Sequence, residues 1–384
     1  MREREAIHRR VWKLFRLPAT KLVLHKYHFK TDKMKDIGEN YLVLANHTTE
    51  VDMVMVAAAF PQHMYFVCGE HLLRTKFGPL LQKYFDPIPA PRGASHMKAV
   101  IEMLRRLKNG NNVMLFPEGC RSFNGETIPV TRSTGKLVKR SGCALVTYRI
   151  HGGYFVAPRW AYHFRKGKMS GEIAGIYTSA QLKEMTAEQI TELINRDLYE
   201  NAYARQRQNP TPFTAEGLTE GLENYLLICP KCGAYDSMQT EGNRFSCSCG
   251  LCGTMDEYGF LHGDDLPYDN VYDWGEWMKQ QFDRETAEKP EDELLFTEHN
   301  VRLYSISSSD HTNTDLLTGD VSIYRNKIVM GDYTFDYAGI SDLSLLYYGR
   351  SVLFTHTSGY FGITGEHFHA WKIERLYENH MKKS

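Results

Sequence analysis

The sequence predicts an α/β layer fold, then a small cysteine-ligated module, then a β-barrel-like domain with a C-terminal helix. Three observations predict it. The first half alternates short apolar runs with helical stripes. Five of the eight cysteines crowd between 229 and 252. From Leu295 onward, β-rich runs follow one another with turn residues between them. A length of 384 residues suits two or three domains. The expected division is a basic amphipathic segment over 1–30, an α/β domain over 31–210, the cysteine module over 225–265, a helix and linker over 266–293, and the β-rich domain over 294–384.

Residues 1–30 carry nine Lys or Arg and two Glu. Ile7, Val11, Leu14 and Phe15 fall on one face of a helix, with Trp12 at its edge. Arg9, Arg10, Lys13 and Arg16 lie largely off that face. Two placements fit. One is a helix lying on anionic lipid, with the Trp12 ring at the lipid–water boundary. The other is a helix packed on its own domain with its basic residues in water. Mean hydropathy is −0.44. No apolar run approaches the ~18 residues a spanning helix needs, so none is expected. The N-terminus lacks a signal-peptide core. Net charge is zero, which excludes a global nucleic-acid footprint.

Runs at 41–45, 65–68, 113–116 and 145–150 read as short buried strands. Helices are expected over 51–60, 95–107 and 183–203. Two runs that follow strands carry chemistry. The first is Asn46-His47-Thr48-Thr49-Glu50-Val51-Asp52. Imidazole exchanges a proton near pH 7 and needs a partner on its other nitrogen to fix the tautomer. Asp52, five positions on, can be that partner. No Ser or Cys sits at an elbow motif nearby, so a substrate's own hydroxyl is the expected nucleophile. General-base help of this kind contributes roughly 10²–10⁴-fold in rate. The plain alternative is a helix N-terminus capped by Thr48 or Thr49.

The second run is Phe116-Pro117-Glu118-Gly119-Cys120-Arg121-Ser122. Arg121 offers a planar fork for phosphate, and Gly119 lets backbone N–H groups approach an anion. Glu118 is out of place beside a phosphate unless it binds a hydroxyl or orients Arg121. A bare Pro-Glu-Gly turn would not require Arg121. Together the runs suggest a base that activates an alcohol on a phosphorylated molecule.

These runs resemble the signature blocks of the glycerophospholipid acyltransferase family, best known for its 1-acylglycerol-3-phosphate acyltransferases. The resemblance covers roughly residues 20–205. It implies an acyltransferase layer fold, with His47 as general base and Asp52 as its orienting partner. It implies that Glu118, Gly119 and Arg121 bind a glycerol phosphate acceptor. The stretch Phe85-Asp86-Pro87-Ile88-Pro89-Ala90-Pro91-Arg92 sits where the family has an intermediate block, which makes Arg92 a second phosphate ligand. The family's fourth block contains a proline, and the matching stretch 144–150 has none. The implied reaction moves a fatty acyl group from acyl-CoA or acyl carrier protein to a lysophospholipid hydroxyl. The leading acceptor is 1-acylglycerol-3-phosphate, giving phosphatidic acid. Another lysolipid or an amino-lipid is the alternative acceptor, and a non-catalytic lipid-binding scaffold the alternative role. Backbone N–H groups near His47 are candidate donors to the oxyanion. The expected location is cytoplasmic, peripheral on the inner face of the membrane.

Cys229-x-x-Cys232 and Cys247-x-Cys249-x-x-Cys252 have the spacing of a four-thiolate site and resemble a zinc ribbon holding structural Zn²⁺. Five cysteines compete for four positions, and either Cys247 or the Cys249–Cys252 pair can supply the second knuckle. Disulfides fit poorly with a chain lacking a secretion signal. Only Lys231 and Arg244 are basic here, so nucleic acid is not an expected partner. Trp274, Trp277, Met278 and Phe282 form a helical packing stripe, and 284–293 reads as a linker. Expected tail strands are 301–306, 321–324, 327–330, 333–337, 343–347, 352–357 and 360–363, with hairpins at Arg325-Asn326 and Gly331-Asp332. A closing helix carries Phe368, Trp371 and Tyr377. This arrangement resembles a pleckstrin-homology-like domain.

Overall fold

The computed structural model describes residues 2–70, 73, 75–90, 96–307 and 312–383. Its first half is built on a seven-stranded sheet. The strands are β1 (Lys30–Thr31), β2 (Tyr41–Ala45), β3 (Met64–Gly69), β4 (Ile88–Ala90), β5 (Asn112–Leu115), β6 (Ala144–His151) and β7 (Ser170–Tyr177). Their order is β1-β7-β6-β2-β5-β3-β4. All neighbours are parallel except β6 and β7.

All five residues of β2 are buried, as a central parallel strand requires. Tyr41, Val43 and Ala45 pack toward α1 (Arg2–Lys26) and α2 (Asp52–Ala59). Leu42 and Leu44 face α4 (Met97–Lys108), α5 (Arg132–Ser141) and α8 (Ala187–Leu198). Shorter helices α3 (Gly78–Tyr84), α6 (Gly153–Val156), α7 (Ser179–Glu184) and α9 (Ala202–Gln208) fill the connections.

Two expectations need correction here. Trp12 is not at the edge of an outer face. It is 5% exposed and packs edge-on to His63 and against Phe66. The face of α1 that is left in solvent carries Ile7, Leu14, Leu17 and Leu22. The helix expected over 183–203 is three helices. Thr186 starts α8 with a capping box to Gln189, and the Asn201 side chain caps α9. These caps bind backbone N–H groups that an unbroken helix would use internally.

The cysteine region forms a four-stranded antiparallel meander of β8 (Met238–Glu241), β9 (Arg244–Cys247), β10 (Cys252–Met255) and β11 (Leu261–His262). Helix α10 (Val271–Ala287) buries Trp274, Met278 and Phe282, and the Trp274 indole donates to the Ile228 carbonyl at 3.0 Å. It runs to Ala287, so the first residues of the expected linker are helical.

The tail is a second seven-stranded sheet, wholly antiparallel. Its strands are β12 (Leu294–Ile306), β13 (Asn313–Tyr324), β14 (Lys327–Met330), β15 (Tyr333–Asp336), β16 (Ile340–Leu346), β17 (Ser351–His356) and β18 (Gly359–Thr364). The order is β15-β14-β13-β12-β18-β17-β16, with α11 (Trp371–Lys383) at the end. Arg325-Asn326 and Gly331-Asp332 turn the two hairpins expected of them. One buried cluster runs through all three regions, from Val43 through Phe155 and Trp274 to Phe354. Among the described residues, no helix is long and apolar enough to cross a membrane.

Candidate active site

β2 and β5 are parallel neighbours, so both of their C-terminal ends open on one edge of the sheet. Open α/β sheets bind ligands at that edge. His47 follows β2, and the run Glu118 to Arg121 follows β5. Asn46, 2% exposed, fixes the first loop by bonding both the N–H and the carbonyl of Ile150 on β6, at 2.7 and 2.9 Å.

His47 Nδ1 lies 3.0 Å from Asp52 Oδ2. Asp52 opens α2 and is fully buried. Its carboxylate also accepts the backbone N–H groups of Thr48 and Thr49, at 2.5 and 2.8 Å, and the Thr49 hydroxyl at 2.6 Å. These donors leave the carboxylate one orientation. With Nδ1–H donated inward, the lone pair of Nε2 points away from Asp52. The imidazole lies flat on Phe116, with centroids 4.3 Å apart and planes 13° from parallel. Its side chain keeps 21% exposure, enough for the outer nitrogen to meet a ligand.

Glu118 faces protein backbone. One oxygen accepts the N–H of His47 at 2.7 Å and the other that of Ile128 at 2.8 Å. Burial pushes its carboxyl up to about 8, while the two N–H groups pull it down and Asp52 adds a smaller upward push. The amides of His47, Thr48 and Thr49 are therefore committed to Glu118 and Asp52, which removes them as the oxyanion donors expected near His47. Gly119 has φ +74°, and among the described residues nothing comes within 4 Å of the place of its missing Cβ. Arg121 Nη2 lies 3.5 Å from the exposed Glu50. Burial pulls the Arg121 pKa down and Glu50 pulls it up. Arg92 lies outside the described residues.

A recess behind His47 is lined by Glu118, Ser122, Thr127, Tyr154 and Glu200. The sequence offered Thr49 only as a helix cap, not as a donor to Asp52, and gave no sign of Ile128. A hydroxyl three residues before Asp52 was a usable signal for the first. Ile128 offers only a backbone group, which no residue type announces.

Cys229, Cys232, Cys247 and Cys249 bring their sulfurs within 4.8 Å of one another. Separations of 3.7 Å (Cys229–Cys249) and 3.8 Å (Cys232–Cys247) match the ~3.8 Å edge of a tetrahedron with ~2.3 Å metal–sulfur bonds. The donor set therefore fits a metal. Cys252 stays outside. Gly250, at φ +90°, turns the chain back, and Cys252 begins β10 opposite Ser246 on an exposed face. Cys247, one position on from Ser246, points to the buried side. In a second group, Asp236, Glu298 and His369, the two carboxylates already hold the Lys372 ammonium, and His369 Nδ1 pairs with the same carboxylates.

Residues 24–151, about a third of the chain, match the family model described as Acyltransferase. The matched segment contains His47, Asp52, Glu118 and Arg121. A similar solved structure is the crystal structure of the 1-acyl-sn-glycerophosphate (LPA) acyltransferase, PlsC, from Thermotoga maritima. It is 21% identical, with a TM-score of 0.43 over 52% of this chain and 82% of that one.

Proposed function

We propose that this chain moves a fatty acyl group from a thioester, acyl-CoA or acyl carrier protein, to the free hydroxyl of a lysophospholipid. 1-Acylglycerol-3-phosphate is the leading acceptor and phosphatidic acid the product. The single observation that carries this reading is the shared strand edge. It puts the His47–Asp52 couple beside the turn that bears Gly119 and Arg121.

His47 Nε2 takes the hydroxyl proton as the oxygen attacks the thioester carbonyl. The carbon–oxygen bond forms, the carbon–sulfur bond breaks, and the proton leaves with the thiol. Asp52 stabilises the imidazolium during transfer. Arg121 and the Gly119 turn bind the acceptor phosphate, with Arg92 as a second cation. Glu118 holds the His47 loop and the Ile128 segment at fixed spacing. Glu50 beside Arg121 favours a second reading of the acceptor, a headgroup that pairs its phosphate with an amine.

The exposed Leu14, Leu17 and Leu22, with Lys13 and Lys21 among them, support peripheral attachment of α1 to anionic lipid. The four clustered thiolates would hold a structural zinc ion, whose chemistry is to cross-link the two knuckles. The tail's strand order and closing helix support the pleckstrin-homology-like reading.

The test incubates wild type and His47→Ala with a thioester and a panel of lysolipid acceptors, read by mass spectrometry of the diacyl product. Product from wild type alone supports the reading. Equal turnover by both proteins removes His47 as base. No product with any acceptor, but retained lipid binding, favours a scaffold.

A further inference from the structure

The tail domain touches the turn that bears Arg121. The contact runs through Arg159, just beyond α6 in the first half of the chain. Its Nη1 donates to the Arg121 carbonyl at 2.9 Å, and its Nη2 donates to the Leu345 carbonyl on β16 at 2.8 Å. The guanidinium carbon lies 4.1 Å above the centroid of the Phe123 ring. That ring stacks on Tyr225, with centroids 5.4 Å apart and planes 8° from parallel. One side chain thus ties the carbonyl of a candidate phosphate ligand to a strand 224 positions away in sequence. Only a planar fork can span two carbonyls and stack on a ring at once.

The tail brings further groups to the same place. Residues 347–349 form a tight turn in which Tyr347 and Tyr348 both have positive φ, +46° and +62°. Left-handed backbone at two adjacent non-glycine residues is costly and persists only where surroundings enforce it. Here Arg350 bonds Asn224 at 2.8 Å and the Tyr162 hydroxyl, and the Tyr348 ring meets Tyr162 edge-on at 5.2 Å. Gly349 of this turn faces the Phe123 ring that Arg159 stacks on, and Tyr347 is 70% exposed.

We propose that the C-terminal β domain is a working part of the acceptor site, with Arg159 as the positioning residue that transmits its hold to Arg121. This rests on the acyl-transfer reading above. Arg159 does not touch substrate. It fixes the backbone from which Arg121 projects, and it adds a second guanidinium to the field at that turn. The tail therefore sets affinity for an anionic acceptor and leaves the thioester step to His47. A tail domain that merely docked elsewhere would have no bond to this turn.

The experiment uses the full-length chain with Arg159→Ala, Arg159→Lys and Arg350→Ala. The last variant lies in the tail, loosens its anchor on Asn224, and serves if Arg159→Ala does not fold. Two readouts are taken. The first is KM for 1-acylglycerol-3-phosphate and for the thioester, with kcat. Arg159→Ala is expected to raise acceptor KM about tenfold or more, the usual cost of a lost charge-assisted hydrogen bond, with donor KM nearly unchanged. Arg159→Lys, which cannot reach both carbonyls, should recover little. Arg350→Ala should raise acceptor KM by a smaller factor.

The second readout is amide hydrogen exchange over residues 117–124. It does not depend on turnover, and both alanine variants should lose protection there. Unchanged protection in folded variants overturns the coupling, even if the enzyme is an acyltransferase. So does an equal rise in both KM values. Lost protection in a protein with no acyltransferase activity would sustain the coupling while the functional reading falls.

Discussion

Replacing Asp52 with Asn separates the charge of this residue from its shape. The amide can turn so that its oxygen takes the Oδ2 position, where His47 Nδ1 and the N–H groups of Thr48 and Thr49 all donate. Its NH2 then faces the Thr49 hydroxyl, which can rotate to accept. The fold and the imidazole tautomer should survive. What is lost is a full negative charge 3.0 Å from the imidazole nitrogen. Charge centres at ~4 Å interact by about 4 kcal/mol at an effective dielectric constant near 20. The partial exposure of His47 reduces this to roughly 3–4 kcal/mol, or about 10²–10³-fold in kcat. The assay follows thiol release from the thioester at saturating acceptor, beside a thermal melt. A folded Asp52→Asn enzyme within fivefold of wild-type kcat would refute the imidazolium argument. A variant that no longer folds would refute the claim that shape survives.

Three other outcomes are expected. Cys249→Ser should lower the melting temperature and the bound-zinc content measured by atomic absorption, while Cys252→Ser should change neither, because only Cys249 joins the four-sulfur cluster. Burial tends to raise the Glu298 pKa, but His369 and Lys372 outweigh it and hold the carboxyl at about 2, below its ordinary 4.5. Its stabilising contribution is then complete above pH ~4.5 and is lost as pH falls toward 2. The stability gap between wild type and Glu298→Gln, about 3 kcal/mol at neutral pH, should close over that window in urea titrations. Leu14→Ser with Leu17→Ser should weaken sedimentation with anionic vesicles several-fold without changing the melt, because both side chains are more than half exposed.

Much of the site was legible because its chemistry depends on local spacing. His47 and Asp52 are five residues apart, and any chain that ends a strand at Ala45 and starts a helix at Asp52 lets them meet. The core strands were legible as unbroken apolar runs. β7 was not, because Gly171, Gly175 and Ser170 dilute its pattern, and it is held by pairing with β6. The orientation of α1 stayed open between two placements because apolar residues occur on both of its faces. Periodicity alone does not say which face meets α2. Thr186 and Asn201 had the right residue types for caps, but a continuing apolar stripe concealed the breaks they make. The choice among five cysteines turned on the backward turn at Gly250, which spacing rules do not contain. Arg159 left no signal at all, since both of its partners are carbonyls.

The unbroken buried cluster has a consequence for how the chain is made. Phe155 of the first half packs against Gly259, and the Phe213 N–H bonds the Glu257 carbonyl at 2.6 Å. Neither partner exists when a ribosome has just finished α9. Synthesis at ~5–20 residues per second leaves on the order of ten seconds before Trp371 emerges and the last layer can close. Through that interval the nascent protein carries a sheet that is complete in sequence with one apolar flank still wet. A premature stop in the tail would remove the partners of that flank and leave part of the shared cluster in water.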